Sequence, residues 1–327
     1  MLSKLFDKVD DLSDCFGAMT VKELRQGTRR GMFVFPFIVI HLLAVFAIVI
    51  EFFSTDIEGF SDGIGVLNVY LFFNSGVFWL VAGLICVLLM PLGGLVLMGQ
   101  ELEDGNHELL LMTSLNRWSI VSGKFFTLWG LCLITFSSLF PYLIVRYFIG
   151  GIDVWRNVSL ILSVICFSAM LCAGAIAASS FRQSWGKISI IALFILSMLF
   201  TGLGPLISSY FISGGCGVYY HINAFLLTVC FTIIGVSVAR SSIRLNLHHF
   251  EIDPRRKIMS LLVCAPVVSV IAVLFTCGYG GFLVIIGITL VAIYTDKGSE
   301  LPHWMIPNME QSRLEFTLKS EVYKEPF

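Results

Sequence analysis

The sequence predicts an all-α polytopic membrane protein with about eight transmembrane helices and both termini cytoplasmic. Three observations lead there: the apolar composition, the length of the apolar runs, and the side on which the basic residues fall. Of 327 residues, 57% are hydrophobic and 13% charged, where a soluble domain carries about 25% charged residues. Mean hydropathy is +0.89. The formal net charge is -1, so no global field draws the chain to nucleic acid or to an acidic substrate.

A hydrocarbon layer about 30 Å thick takes roughly 20 helical residues to cross. Apolar runs of about that length occupy 32–53, 77–98, 125–149, 158–180, 187–204, 222–239, 258–276 and 279–294. With the N-terminus inside, segments 1–31, 99–124, 181–187, 240–257 and 295–327 face the cytoplasm. Of the 21 basic residues, all but Arg146 and Arg156 then lie inside, as the positive-inside rule requires. The first apolar run is too long for a signal-peptide core and is expected to stay in the membrane.

This order divides the chain into four parts. Residues 1–31 form a cytoplasmic segment in which Leu2, Leu5, Phe6 and Val9 have the spacing of an interfacial amphipathic helix. Residues 32–240 form a six-helix core, interrupted by the inner loop 99–124. Residues 241–294 add a basic inner loop and two further spans, and 295–327 form a cytoplasmic tail.

Enzyme chemistry finds no foothold. No GxxxxGK[ST] phosphate-binding loop occurs, because Gly123–Lys124 and Gly186–Lys187 lack the upstream glycine and the following hydroxyl residue. The "HELLL" at His107 starts like a zinc-binding HExxH, but Leu111 stands where the second histidine belongs. No GxSxG nucleophile elbow is present. His248, His249 and Glu251 read as solvated loop residues. The nine cysteines show no CxxC spacing and lie mostly in apolar runs, where a thiol behaves as a small hydrophobe. No catalytic residue, metal or cofactor is expected.

Ionisable residues within the spans are few: His41, Glu51 and Arg146. Such residues are functional candidates because their desolvation is costly. Glu51 and Arg146 lie near the outer interface, where snorkelling reaches the headgroups; His41 can stay neutral and hydrogen-bonded inside a bundle. Pro36, Pro91, Pro141, Pro205 and Pro266 fall within or beside spans. The stretch "TGLGPLISSYFISGGCGVYYH", 201–221, predicts a helix that breaks at Gly202, Gly204 and Pro205 and re-enters. In "CAGAIAASS", 172–180, Ala173 with Ala177 and Gly174 with Ala178 have small-xxx-small spacing, suited to close packing within the monomer or across a dimer seam.

The inner loop between the second and third spans carries the most specific pattern. Glu101, Glu103 and Asp104 precede Gly105 and Asn106. Asn106 is a good N-cap for a short helix starting at His107, and Glu108 suits that helix's positive end. Leu109 and Leu110 give it an apolar face, and Arg117 and Lys124 read as basic anchors at the return to the membrane. In a partner's groove, such a helix docks by its apolar face.

Here the chain resembles the permease subunits of ABC-2 type (ATP-binding cassette) transporters. Their mark is E-x-E-x-G-T-x-E-L-L followed by R-x-x-I-V-x-G-K in the same loop. This chain has "ELEDGNHELL" at 101–110 and "RWSIVSGK" at 117–124, with Asn106 in place of the threonine. The resemblance extends loosely to "KELRQGTRRG" before the first span. It implies a half-transporter of the bacterial inner membrane, paired as a homodimer or with a related permease, surrounded by lipid, and driven by a separate ATP-binding subunit. Glu101, Glu103, Gly105, Asn106, Glu108, Leu109, Leu110, Arg117 and Lys124 are then the coupling residues, and export is the expected direction. The two extra spans depart from the usual six. The residues alone also allow a non-transporting membrane anchor or sensor that recruits a cytoplasmic partner.

The topology makes opposite predictions for the first two loops. In intact cells, a membrane-impermeant maleimide should label Ser61→Cys, and label Ser114→Cys only after permeabilisation.

Overall fold

Seven helical segments make up the body of the computed structural model, which describes residues 31–53, 75–95, 117–149, 154–181, 184–213 and 218–242, with residues 20, 24, 260, 263, 264, 267, 268, 271, 286–291 and 293. For 200–213 and 218–224 it describes the backbone alone. The segments are α1 (Gly31–Phe53), α2 (Val77–Leu92), α3 (Arg117–Ser137), α4 (Phe140–Ile149), α5 (Val154–Ser179), α6 (Ser184–Ser213) and α7 (Val218–Ser242). No strand occurs among the described residues.

Among the described residues, three stretches are long and apolar enough to cross a membrane: Phe33–Phe53, Trp118–Phe148, which joins α3 to α4, and Asn157–Ser179. Shorter apolar helices occupy Val77–Leu92, Ser184–Leu199 and Phe225–Ser241. The three long stretches coincide with the first, third and fourth expected spans, and the shorter helices overlap the second, fifth and sixth. Most of the seventh and eighth lies outside the described residues, as do nearly all of 1–30 and the whole tail 295–327. Within the eighth, residues 286–291 are helical, and Ile286 and Ile288 pack against the core.

The helix boundaries follow from local chemistry. At Ser138–Leu139 the ladder tightens: Leu139 N–H donates to Phe136 O at 3.0 Å and Tyr142 N–H to Leu139 O at 3.0 Å. Pro141 lies just inside α4, where its fixed φ suits a first turn and its missing donor matters least. In α2, Gly83–Leu89 winds as a π-helix immediately before Pro91. A proline ring collides with the carbonyl four residues earlier in a regular helix; wider winding moves that carbonyl aside.

Two expectations are corrected. The helix does not break at Gly202, Gly204 and Pro205: α6 runs through all three to Ser213. Proline fixes a helix-compatible φ and removes one hydrogen bond, whereas unwinding in hydrocarbon strands several backbone groups. At 30 residues and about 1.5 Å per residue, α6 spans roughly 45 Å, well over the hydrocarbon thickness. The third helix also starts at Arg117 rather than at residue 125. Its first turns present Ile120, Val121, Lys124, Phe125 and Leu128 to the interior, while Trp118 and Phe126 face out. That is a one-sided helical pattern, which the charged residues disguise as loop.

Helix α5 is the centre of the bundle. Of the most apolar part of Asn157–Ser179, 78% is buried, against 17% for Phe33–Phe53, so α1 is the lipid-facing rod and α5 the spine. It packs on α2, α3, α6 and α7. Its small residues make that possible: Ala173, Ala177 and Ala178 are buried within this chain, so the small-xxx-small stripe serves packing inside the monomer. Phe194 of α6 fills the gap. A Cβ on Gly174 would stand 2.5 Å from Phe194 Cγ, and one on Gly235 of α7 would stand 2.9 Å from Phe194 Cζ and 3.0 Å from the Ala173 backbone. Dispersion between closely approaching helices is a main attraction in lipid, where burial of apolar surface gains nothing over contact with lipid tails.

Over-packing this joint should cost about 1–3 kcal/mol. Gly235→Val is expected to lower the thermal unfolding midpoint of the protein in nanodiscs by several degrees, while Gly130→Val, at a site with no neighbour within 4 Å, leaves it within about one degree.

Candidate functional site

Of the sequence-predicted coupling residues, Glu101, Glu103, Gly105, Asn106, Glu108, Leu109 and Leu110 lie outside the described residues. Arg117 opens α3. Lys124 is not a loop anchor: it sits in the second turn of α3 with its side chain completely buried. The second half of the loop pattern is therefore the root of a helix, with Ile120, Val121 and Lys124 inserted in the bundle. Arg240, near the end of α7, places its guanidinium 5.6 Å from the Trp118 ring. This cation–π contact ties the ends of two helices that the charge count places on the inner side.

The opposite end holds the most developed polar cluster, and it corrects a second reading. Glu51 and Arg146 do not reach outward to headgroups; they bind each other. Arg146 Nε donates to Glu51 Oε2 at 2.6 Å, and the Glu51 and Arg146 side chains are 7% and 13% exposed. The pair also grips the start of α2. Phe78 N–H donates to Glu51 Oε1 at 2.9 Å, and Arg146 Nη2 donates to the Ser75 carbonyl at 2.7 Å. A carboxylate from α1 thus caps the positive end of α2, where helix N–H groups lack intrahelical partners. The Phe78 ring lies 5.8 Å from the guanidinium carbon. One turn face further, Trp79 Nε1–H donates to Asn157 Oδ1 of α5 at 2.9 Å.

Gly76 makes this closeness possible. Its φ of 102° lies in the left-handed half of backbone space, open to glycine and strained for other residues. A Cβ there would also overlap Glu51 Oε1 and come within 2.8 Å of Arg146 Nη2.

Midway along the bundle, His41 of α1 meets the α3–α4 break. Its Nε2 is 3.1 Å from Ser138 Oγ, and the Ser138 hydroxyl donates to the Thr135 carbonyl at 2.6 Å. A hydroxyl has one proton; with that proton committed, Nε2–H of His41 is the donor to Ser138. The ring packs edge-on to Phe37 at 4.8 Å and against Tyr142 at 5.6 Å. This is a hydrogen-bonded, half-buried histidine, as the sequence allows.

The six cysteines among the described residues are free. Cys132 and Cys172 Sγ are 3.7 Å apart, a thiol contact between α3 and α5 rather than a bond. Among the described residues, no group of three or more His, Cys, Asp or Glu is placed to hold a metal ion. An apolar cleft lined by Leu88, Pro91, Leu171, Phe194 and Ile195 lies between α2, α5 and α6, with no polar side chain to orient a ligand.

Sequence reasoning missed the joint action of Glu51 and Arg146. Two signals pointed to it: opposite charges near the same expected end of the first and third spans, and Arg146 as an exception to the inner-side bias. No protein-family model, curated protein or solved structure matches the chain.

The burial of Lys124 is open to a direct check. In a background lacking native cysteines, Trp118→Cys should react readily with an aqueous maleimide in the folded protein, while Lys124→Cys should react at least tenfold more slowly until denaturant is added.

Proposed function

We propose that this chain is the permease subunit of an ABC-2 type transporter, a polytopic protein of about eight spans with both termini in the cytoplasm of a bacterial cell. It forms the transmembrane path, pairs as a homodimer or with a related permease, and exports its substrate. ATP is hydrolysed by a separate cassette subunit, and the stretch 101–110 docks on that subunit as the coupling element.

One observation carries the most weight: the R-x-x-I-V-x-G-K half of the loop pattern is the buried root of α3. Ile120, Val121 and Lys124 are wedged between helices, so a displacement of the segment before Arg117 turns or tilts a rod of 31 residues rather than dissipating in a slack loop. The Arg240–Trp118 contact passes the same displacement to α7. A push at one membrane face then becomes a rearrangement at the other. Moving a two-state bundle fully from one arrangement to the other takes about 5.5 kcal/mol of differential affinity, within reach of a nucleotide-driven partner and beyond anything the apolar cleft offers.

The reading stands or falls on the partner. A subunit with GxxxxGK[ST] and no membrane span, encoded beside this chain, should co-purify with it, and Glu108→Lys combined with Leu109→Asp should abolish the complex. A complex that survives this change with unaltered ATP turnover and transport removes the coupling assignment.

A further inference from the structure

We propose that the Glu51–Arg146 pair is a latch: it holds the start of α2 against α1 and α4, and the outer end of the bundle opens there first when the pair parts.

Four observations converge on this place. The ion pair is short and largely buried. Each partner spends a further hydrogen bond on the backbone of the same four-residue segment, Ser75 to Phe78. That segment includes a glycine in a conformation strained for other residues, with no space for a Cβ. The winding of α2 loosens into a π-helix one turn beyond it, from Gly83.

Direction follows from how α2 is held elsewhere. Past the π-helical stretch, Met90 and Pro91 are buried against the bundle, and a Cβ on Gly94 would overlap Leu128 of α3 and approach Ala175 of α5 at 3.4 Å. That end is fixed by close packing, which separates only when several contacts break together. The start of α2 is closely packed as well, with Phe78, Trp79 and Ala82 buried, but directional polar contacts hold it in addition. Ion pairs and hydrogen bonds switch between discrete partners, so they suit a hinge with two positions. The π-helical Gly83–Leu89 supplies flexure between the ends, since wide winding gives up regular i→i+4 bonds. Trp79 and Asn157 limit the travel by anchoring the same turn to α5.

The proposal is independent of the transporter reading, and its test needs no ATPase, so either can fail without the other. Hydrogen–deuterium exchange of the full chain in nanodiscs is followed in the segment 75–82 and in α5, residues 157–179. Three variants break the latch differently: Glu51→Gln and Arg146→Gln remove one charge each, and Gly76→Ala keeps both charges but denies them the approach. In all three, exchange in 75–82 should rise at least tenfold while α5 stays within about twofold of the parent. An equal rise in both segments would make the pair a general brace of the fold and overturn the latch. Unchanged exchange in 75–82 in any of the three variants would overturn it as well.

Discussion

Hydrocarbon offers no hydrogen bond and no counter-ion, so every charge carried into the bundle has to be met by the chain itself. The Glu51–Arg146 pair is the clearest consequence, and it ties the start of α2 to α1 and α4. It neutralises two charges, caps α2 from a neighbouring helix, takes up a backbone carbonyl and joins three helical segments that the sequence separates widely. In the expected topology it accounts for Arg146, one of the two basic residues outside the inner segments: paired with an acid, it would not act as a topological charge. His41 follows the same logic with a hydrogen bond, its Nε2–H donating to Ser138 where the α3–α4 ladder is interrupted.

How much was legible in the sequence depended on which physical quantity a residue reports. Hydropathy reports which stretches form apolar helices, and the first of these was read well: a span was expected at 32–53, and α1 occupies Gly31–Phe53. What hydropathy does not report is the direction a side chain takes around its helix. Glu51 and Arg146 were therefore placed on the right helices and assigned to lipid headgroups, although they lie 95 residues apart and face each other. Lys124 was given to the loop for the same reason. A charge reads as solvent-exposed unless the apolar positions around it, here Ile120, Val121, Phe125 and Leu128, are seen to share its face.

Glycine and proline misled in a different way. At Gly202, Gly204 and Pro205 they weaken a helix, yet α6 persists because the alternative leaves more backbone groups without partners. In α2 and at the α3–α4 junction, proline altered the winding without ending the rod. The small-residue stripe of α5 was ambiguous between an internal and an external seam, and Phe194 decides it by filling the space the glycines leave. The acidic half of the loop pattern carries the functional reading through its residue types and its place between α2 and α3. The basic half adds a mechanical reason: it is rooted in the core. Under the proposed function, the two halves together describe a bundle whose driving force would come from a partner.

The interaction at the centre of this account can be measured in isolation by a double-mutant cycle on Glu51→Gln and Arg146→Gln, with unfolding free energies determined in a bilayer. Close, desolvated charge pairs show coupling of about 1.5 kcal/mol or more, and a coupling of that size between Glu51 and Arg146 is the predicted result. Additivity of the two substitutions within about 0.5 kcal/mol would mean that the two side chains act separately, and would contradict the account.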